Sequence, residues 1–117
     1  SVGGGVQTSV SSSLSCGAGG TQSFDVGEAE NDGLFQLQAR CRNPNGGQLQ
    51  LDVVEGGSVA FNVTPKGTVG PDGTDRRLVW TIPVRKGQKI RLTMYGGSSA
   101  FELSSVRGQF IYFGVAE

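Results

Sequence analysis

Phe35-Gln36-Leu37-Gln38-Ala39-Arg40-Cys41-Arg42 decides the architecture. In an extended chain Phe35, Leu37, Ala39 and Cys41 point to one side, and Gln36, Gln38, Arg40 and Arg42 to the other. The same period of two returns at Leu49, Leu51 and Val53, at Val59, Phe61 and Val63, and at Ile90, Leu92 and Met94. Strands with one oily and one wet face build antiparallel sheets. No stretch carries the 3.6-residue stripe of an amphipathic helix.

Outward from this stretch, the turns fall between the apolar runs. Leu34–Arg42 reads as a strand, Asn43–Gly47 as a turn and Gln48–Val54 as the return strand, with Gly56-Gly57 making a tight hairpin into Ser58–Val63. Adjacency alone joins these three as a meander. Upstream, Gln7–Cys16 reads as an edge strand carrying Val10 and Leu14, and Gln22–Val26 places Phe24 and Val26 on one face. Downstream, Pro65–Arg76 is the longest loop, followed by strands at Arg77–Ile82, Lys89–Tyr95, Ser99–Leu103 and Gln109–Val115. Eight or nine short strands in one domain of this size predict an all-β fold, a two-sheet antiparallel β-sandwich of jelly-roll topology, with a closed barrel as the other solution. Residues 1–6 read as a flexible N-terminal segment and 7–117 as the single domain. A chain that opens on Ser1 reads as a processed product or an excised domain.

Composition narrows the function classes. Ten basic and ten acidic side chains cancel, so no overall field recruits nucleic acid or an anionic membrane. The charges are uneven: six of the ten carboxylates precede Ala60 and eight of the ten cations follow it. No apolar run approaches the ~18 residues of a membrane span, so no membrane insertion is expected. The 20 glycines suit tight turns between many strands. Histidine is absent, which removes the usual base of a nucleophilic triad and the commonest zinc ligand. Catalysis is therefore not expected, although two loop carboxylates meeting across a cleft would be the route to it.

Cys16 and Cys41 lie in separate strands and form no CxxC motif. They read as one structural disulfide, contributing about 3.5 kcal/mol by loop closure, with two buried thiols as the alternative. The bridge would place the chain in an oxidising compartment, extracellular or surface-exposed. No cofactor is expected. Calcium is the one option, through Asp25, Glu28, Glu30, Asn31 and Asp32 or through Asp72 and Asp75, against the plainer reading of solvated turns.

Candidate ligand-binding residues come from two basic regions and one aromatic. Arg85, Lys86, Lys89 and Arg91 flank one turn, and Arg76 and Arg77 sit beside the long loop. If the regions meet they make an anion patch suited to sulfated or sialylated sugars; if they do not, such charges guard a sheet edge. Of these, Arg76, Arg77, Lys89 and Arg91, with Tyr95 at the end of its strand, form the expected ligand site. Trp80 shares parity with Leu78 and Ile82 and reads as core. In the last strand Phe110, Ile111, Tyr112 and Phe113 are large on both faces, which points to an oligomer interface through Phe110 and Tyr112.

Two resemblances follow from particular residues. Gly33-Leu34-Phe35, the run Leu49–Gly57, Ile82–Leu92 and Ser105–Tyr112 resemble, in that order, the strand motifs of complement C-one-q heads and tumour-necrosis-factor-like domains. Gln88 stands where that family usually has Asp. This resemblance implies a homotrimer packed around its inner strands, with receptor or glycan binding on the outer loops. Separately, Ala39–Gly47, Trp80 and Gly87–Leu92 are similar to galactose-binding-like carbohydrate modules, with Cys41 in place of a tyrosine. That similarity implies a monomeric jelly roll that binds sugars and often carries a structural calcium. The expectation is a secreted or surface-displayed binding or assembly domain, a homotrimeric head recognising a protein or glycan. The alternatives are a monomeric carbohydrate-binding module and a capsid, spike or fibre component.

Overall fold

The computed structural model describes residues 5–8, 13–42, 46–68 and 75–113. The strands in order are β1 (Gly5–Thr8), β2 (Ser13–Cys16), β3 (Thr21–Glu28), β4 (Gly33–Arg42), β5 (Gln48–Glu55), β6 (Ser58–Thr68), β7 (Asp75–Val84), β8 (Lys89–Tyr95) and β9 (Phe101–Tyr112). They sort into two antiparallel sheets. Sheet A runs β1-β9-β4-β7, with β2 also paired to β9, and sheet B runs β3-β8-β5-β6. From β2 onward every connection but one changes sheet, the exception being the β5–β6 hairpin. This winding is the expected β-sandwich with jelly-roll topology.

The alternating residues of the opening stretch do what their period predicts. Phe35, Leu37, Ala39 and Cys41 are buried against Leu49, Leu51 and Val53 of β5 and Ile90, Leu92 and Met94 of β8. Phe35 pairs across the sheet with Phe110, their rings 4.9 Å apart and tilted, a contact worth about 1 kcal/mol beyond its buried area. Trp80 and Leu78 are half-buried and pack against this core, as their parity predicts. At Gly33 the strands β4 and β9 come so close that a Cβ would overlap the Ile111 carbonyl. Gly56 and Gly57, at φ 59° and 83°, supply the left-handed pair that a two-residue hairpin requires.

The β7–β8 turn is locked to the β3–β4 link. Gly87 N donates to the Ala29 carbonyl and Ala29 N to the Gln88 carbonyl, each at 2.8 Å. The buried Gln88 side chain accepts from Arg85 N at 2.8 Å, and Asp32 Oδ1 accepts from Lys86 N at 2.9 Å. In the same region Glu30 N donates to the Tyr112 hydroxyl at 3.0 Å.

Several expectations are corrected. The meander is not formed: β4 pairs with β7 and β9, and only β5 and β6 make a hairpin. Alternation shows which side chains face inward but not which strand lies alongside. On β6, Val59 and Phe61 are 45% and 38% exposed, because this strand is the edge of sheet B. Of the Gln7–Cys16 strand, the described residues hold β1 and β2, both laid along β9, while Val10 lies outside them. Strands also enter both ends of the long loop, β6 reaching Thr68 and β7 starting at Asp75, while Asp72 lies outside the described residues. The two final strands are one, the twelve-residue β9.

The cysteines are not bridged either: Cys16 and Cys41 are both buried free thiols. The register gives the reason. Cys16 pairs with Phe101 and Cys41 with Leu103, so β9 runs between them. Two strand spacings separate their backbones by about 9.5 Å, beyond the ~7 Å that a disulfide spans. Cys16 Sγ instead lies 3.6 Å from the Met94 carbonyl. Finally, Phe110 and Tyr112 are not an outer surface. Both are buried in this chain's own core, their rings 5.9 Å apart and stacked, and the outward neighbours are the half-buried Ile111 and the exposed Phe113.

Candidate functional site

The wet residues of the opening stretch form the centre of the outer face of sheet A. The register lays them out in rows: Gln109–Gln36–Thr81, Arg107–Gln38–Val79 and Ser104–Arg40–Arg77, taken from β9 through β4 to β7. Neighbours across a row are about 4.8 Å apart and successive rows about 6.8 Å. Side chains on this face are bonded to each other. Arg77 Nη2 donates to Gln38 Oε1 at 3.2 Å, Gln38 Nε2 to Gln36 Oε1 at 3.1 Å, and Gln36 Nε2 to Thr81 Oγ1 at 3.4 Å. Each amide in this ladder keeps a second N–H and an oxygen lone pair for another partner. Val79, opposite Gln38 and 50% exposed, adds an apolar patch beside the ladder.

Two concavities open at the lower rows. One, of about 700 Å³, is bordered by Ser13, Ser15, Arg40, Cys41, Asp75 and Glu102. The other, of about 510 Å³, is bordered by Gln38, Arg40, Arg77, Ser105, Val106 and Arg107. They meet at Arg40 and Ser105. Burial pushes the Cys41 thiol above its ordinary value of 9.0, with Arg76 opposing the rise and Asp75 adding to it. Buried and protonated, that thiol is a wall of the concavity rather than a nucleophile.

The expected ligand residues are not brought together. Arg76 and Arg77 start β7, whereas Arg85, Lys86 and Lys89 lie past its other end. Lys89, Arg91 and Tyr95 share the outer face of sheet B, the opposite side of the sandwich from Arg77. Arg91 Nη2 meets Asp52 Oδ2 at 3.4 Å. Asp52 is only 2% exposed and also accepts from Gln50 Nε2 at 2.9 Å, so Arg91 serves to neutralise a buried carboxylate. Among the described residues no group of three or more His, Cys, Asp or Glu converges as a metal site would, and no helix is long and apolar enough to cross a membrane. The residues that gather with Arg77 are Arg40 and Arg107. Arg107 had one signal in the sequence, the switch of apolar positions from odd (Phe101, Leu103) to even (Val106, Gly108, Phe110) just before it.

No protein-family model and no curated protein sequence matches the chain. Solved structures do. Latent PorU from Porphyromonas gingivalis superposes with a TM-score of 0.51 at 16% identity, covering 86% of this chain but only 11% of that one. The C-terminal family 6 carbohydrate-binding module of LamC from Zobellia galactanivorans gives 0.49 at 17% identity, covering 90% of this chain and 98% of that one. A family 6 module of Cellvibrio mixtus lichenase 5A, solved with cellotriose, gives 0.47 at 18% identity, with 92% and 86% covered. Identities this low describe a likeness of fold.

Proposed function

We propose that the chain is a non-catalytic glycan-binding domain whose ligand lies across the outer face of sheet A. The observation that carries this reading is the side-chain ladder Arg77–Gln38–Gln36–Thr81. Only ~10–15% of hydrogen bonds in folded proteins join side chain to side chain, and a merely solvated face needs no such chain. Held in place by one another, the two amides present donors and acceptors together, the pattern that a sugar's hydroxyls require. Their strand spacing is fixed by the sheet, so little ordering remains for binding to pay for. Val79 offers a surface for the C–H side of a sugar ring. Glycan recognition on the face of a β-sandwich also fits a secreted or surface-attached protein, the setting we infer for it.

The test is a glycan array with the purified chain, followed by calorimetry on the best soluble ligand. Selective binding is expected, weakened about tenfold by Gln38→Ala, the loss of a pair of hydrogen bonds. An array blank at high protein concentration, or binding that is indifferent to both Gln36→Ala and Gln38→Ala, would overturn the proposal.

A further inference from the structure

We infer that Arg40, Arg77 and Arg107 hold an oxyanion on the ligand, so that the glycan is an acidic one bearing sulfate esters or carboxylates. This rests on the glycan reading above and adds the ligand's charge to it. The three arginines come from three adjacent strands and border one concavity of about 510 Å³ that has no acid on its rim among the described residues. Arg40 and Arg77 are directly opposite on β4 and β7, an arrangement that like charges disfavour. Among the described residues no carboxylate makes an ion pair with any of the three. Asp75 and Glu102 border the neighbouring concavity, which Arg40 shares and Arg77 and Arg107 do not.

The backbone is built to place the third charge. Between Ser104 and Arg107, β9 holds one residue more than the facing stretch of β4 from Arg40 to Gln38. This bulge contains Ser105, the one non-glycine residue with positive φ among the described residues, at 51°. Upstream of it the odd residues Phe101 and Leu103 point inward, and downstream the even residues Val106, Gly108 and Phe110 do. Were β9 to alternate regularly through Ser105 instead of bulging there, Arg107 would face the core. The strained bulge therefore turns a third guanidinium onto a face that already carries two. Bulges and left-handed non-glycine residues concentrate where a side chain is aimed for function. Guanidinium forks match the paired oxygens of sulfate and carboxylate. Three such groups in a chain of zero net charge suit isolated acidic substituents rather than the continuous phosphates of nucleic acid.

Calorimetry on the intact chain tests this with heparin, chemically desulfated heparin, polygalacturonate, a neutral mixed-linkage β-glucan and a single-stranded oligonucleotide. Heparin or polygalacturonate should bind, the two arms telling sulfate from carboxylate, with affinity falling as salt rises. Arg77→Gln and Arg107→Gln should each weaken that binding about tenfold or more, while Lys86→Gln, past the far end of β7, leaves it unchanged. Melting temperatures equal to or above wild type would show that the variants are folded, since each removes a repulsion. Equal binding of the neutral glucan, insensitive to both arginine variants, would overturn the acidic ligand and leave glycan binding standing. Oligonucleotide binding as tight as heparin's would overturn it in favour of a phosphate backbone. Binding to no polysaccharide at all, with a blank array, would remove both readings together.

Discussion

Cys41 shows how much one side chain's position decides. It lies on the inner face of β4 at the open end of the sandwich, 5% exposed, beside the concavity that Asp75 and Arg40 border. Both cysteines are too far apart across β9 to bond, so the folded chain carries two protected thiols. Thiol-specific reagents should react slowly with the native protein and rapidly with two groups once it is unfolded. An intact mass lacking two hydrogens, unchanged by reductant except to regain them, would contradict the structure. The pH dependence follows from burial, which holds the Cys41 pKa above its ordinary 9.0. The unfolded thiol ionises first as the pH rises, so the unfolded state binds fewer protons in that window. The contribution to stability is complete below about 9.0 and is lost as the pH climbs through the folded value. Denaturant midpoints taken from neutral pH upward should fall more steeply for wild type than for Cys41→Ala; parallel curves would deny Cys41 this role.

Among the elements β9 bears the most on function, because its bulge sets both the core and the ligand face. Ser105 pays a left-handed cost of about 1–3 kcal/mol that glycine would avoid, less the ~0.5–1 kcal/mol of extra freedom glycine loses on folding. Ser105→Gly should therefore raise stability by about 1 kcal/mol, read as a higher melting temperature. Deleting Ser105 should likewise leave the chain folded, since Val106 then falls opposite Ala39, between the pairs Ser104–Arg40 and Arg107–Gln38, and both faces are kept. A deletion variant that does not fold would show that the bulge is needed for more than the register of β9 with β4. The same strand explains what could be read in advance. Where alternation is unbroken and both sheets cover the strand, as in β4, β5 and β8, residue types alone predict the buried face. Where a bulge shifts parity, one strand looks like two, and so β9 reads as a pair of fragments. Pairing is illegible for a related reason. A period of two specifies a face but not a neighbour, so β4 and β5, adjacent in sequence, lie in opposite sheets. Hence Gln36, Gln38 and Arg40 were recognisable as the wet side of a strand. That Arg77 and Arg107 would flank them depended on contacts between distant segments, which no local pattern encodes.

At the scale of the whole molecule the question is whether the chain acts alone. The expectation of a trimer came from four large residues in succession at the end of β9, which would leave one oily face for a partner. In the folded chain Phe110 and Tyr112 close the core, and Ile111 is half covered by its own sheet. Among the described residues that leaves Phe113, 54% exposed, at the end of the strand, Val79 on the edge strand β7 of its own sheet, and Val59 and Phe61 on the far edge of the other sheet. Obligate oligomers bury continuous apolar interfaces of ~2,000 Å² or more, and isolated side chains on separate edges do not make one. The outer face of sheet A is also costly to bury against a copy of itself, because three arginines would have to be desolvated. Light scattering on the purified chain should therefore give a mass near the 12.2 kDa of a monomer, constant across a wide range of concentrations and insensitive to Phe113→Ser. Adding an acidic polysaccharide should raise the apparent mass only by arraying monomers along the polymer, an effect that salt and Arg77→Gln reverse. A stable mass three times that of the chain, abolished by Phe113→Ser, would restore the trimer and shift the binding surface to its outer loops.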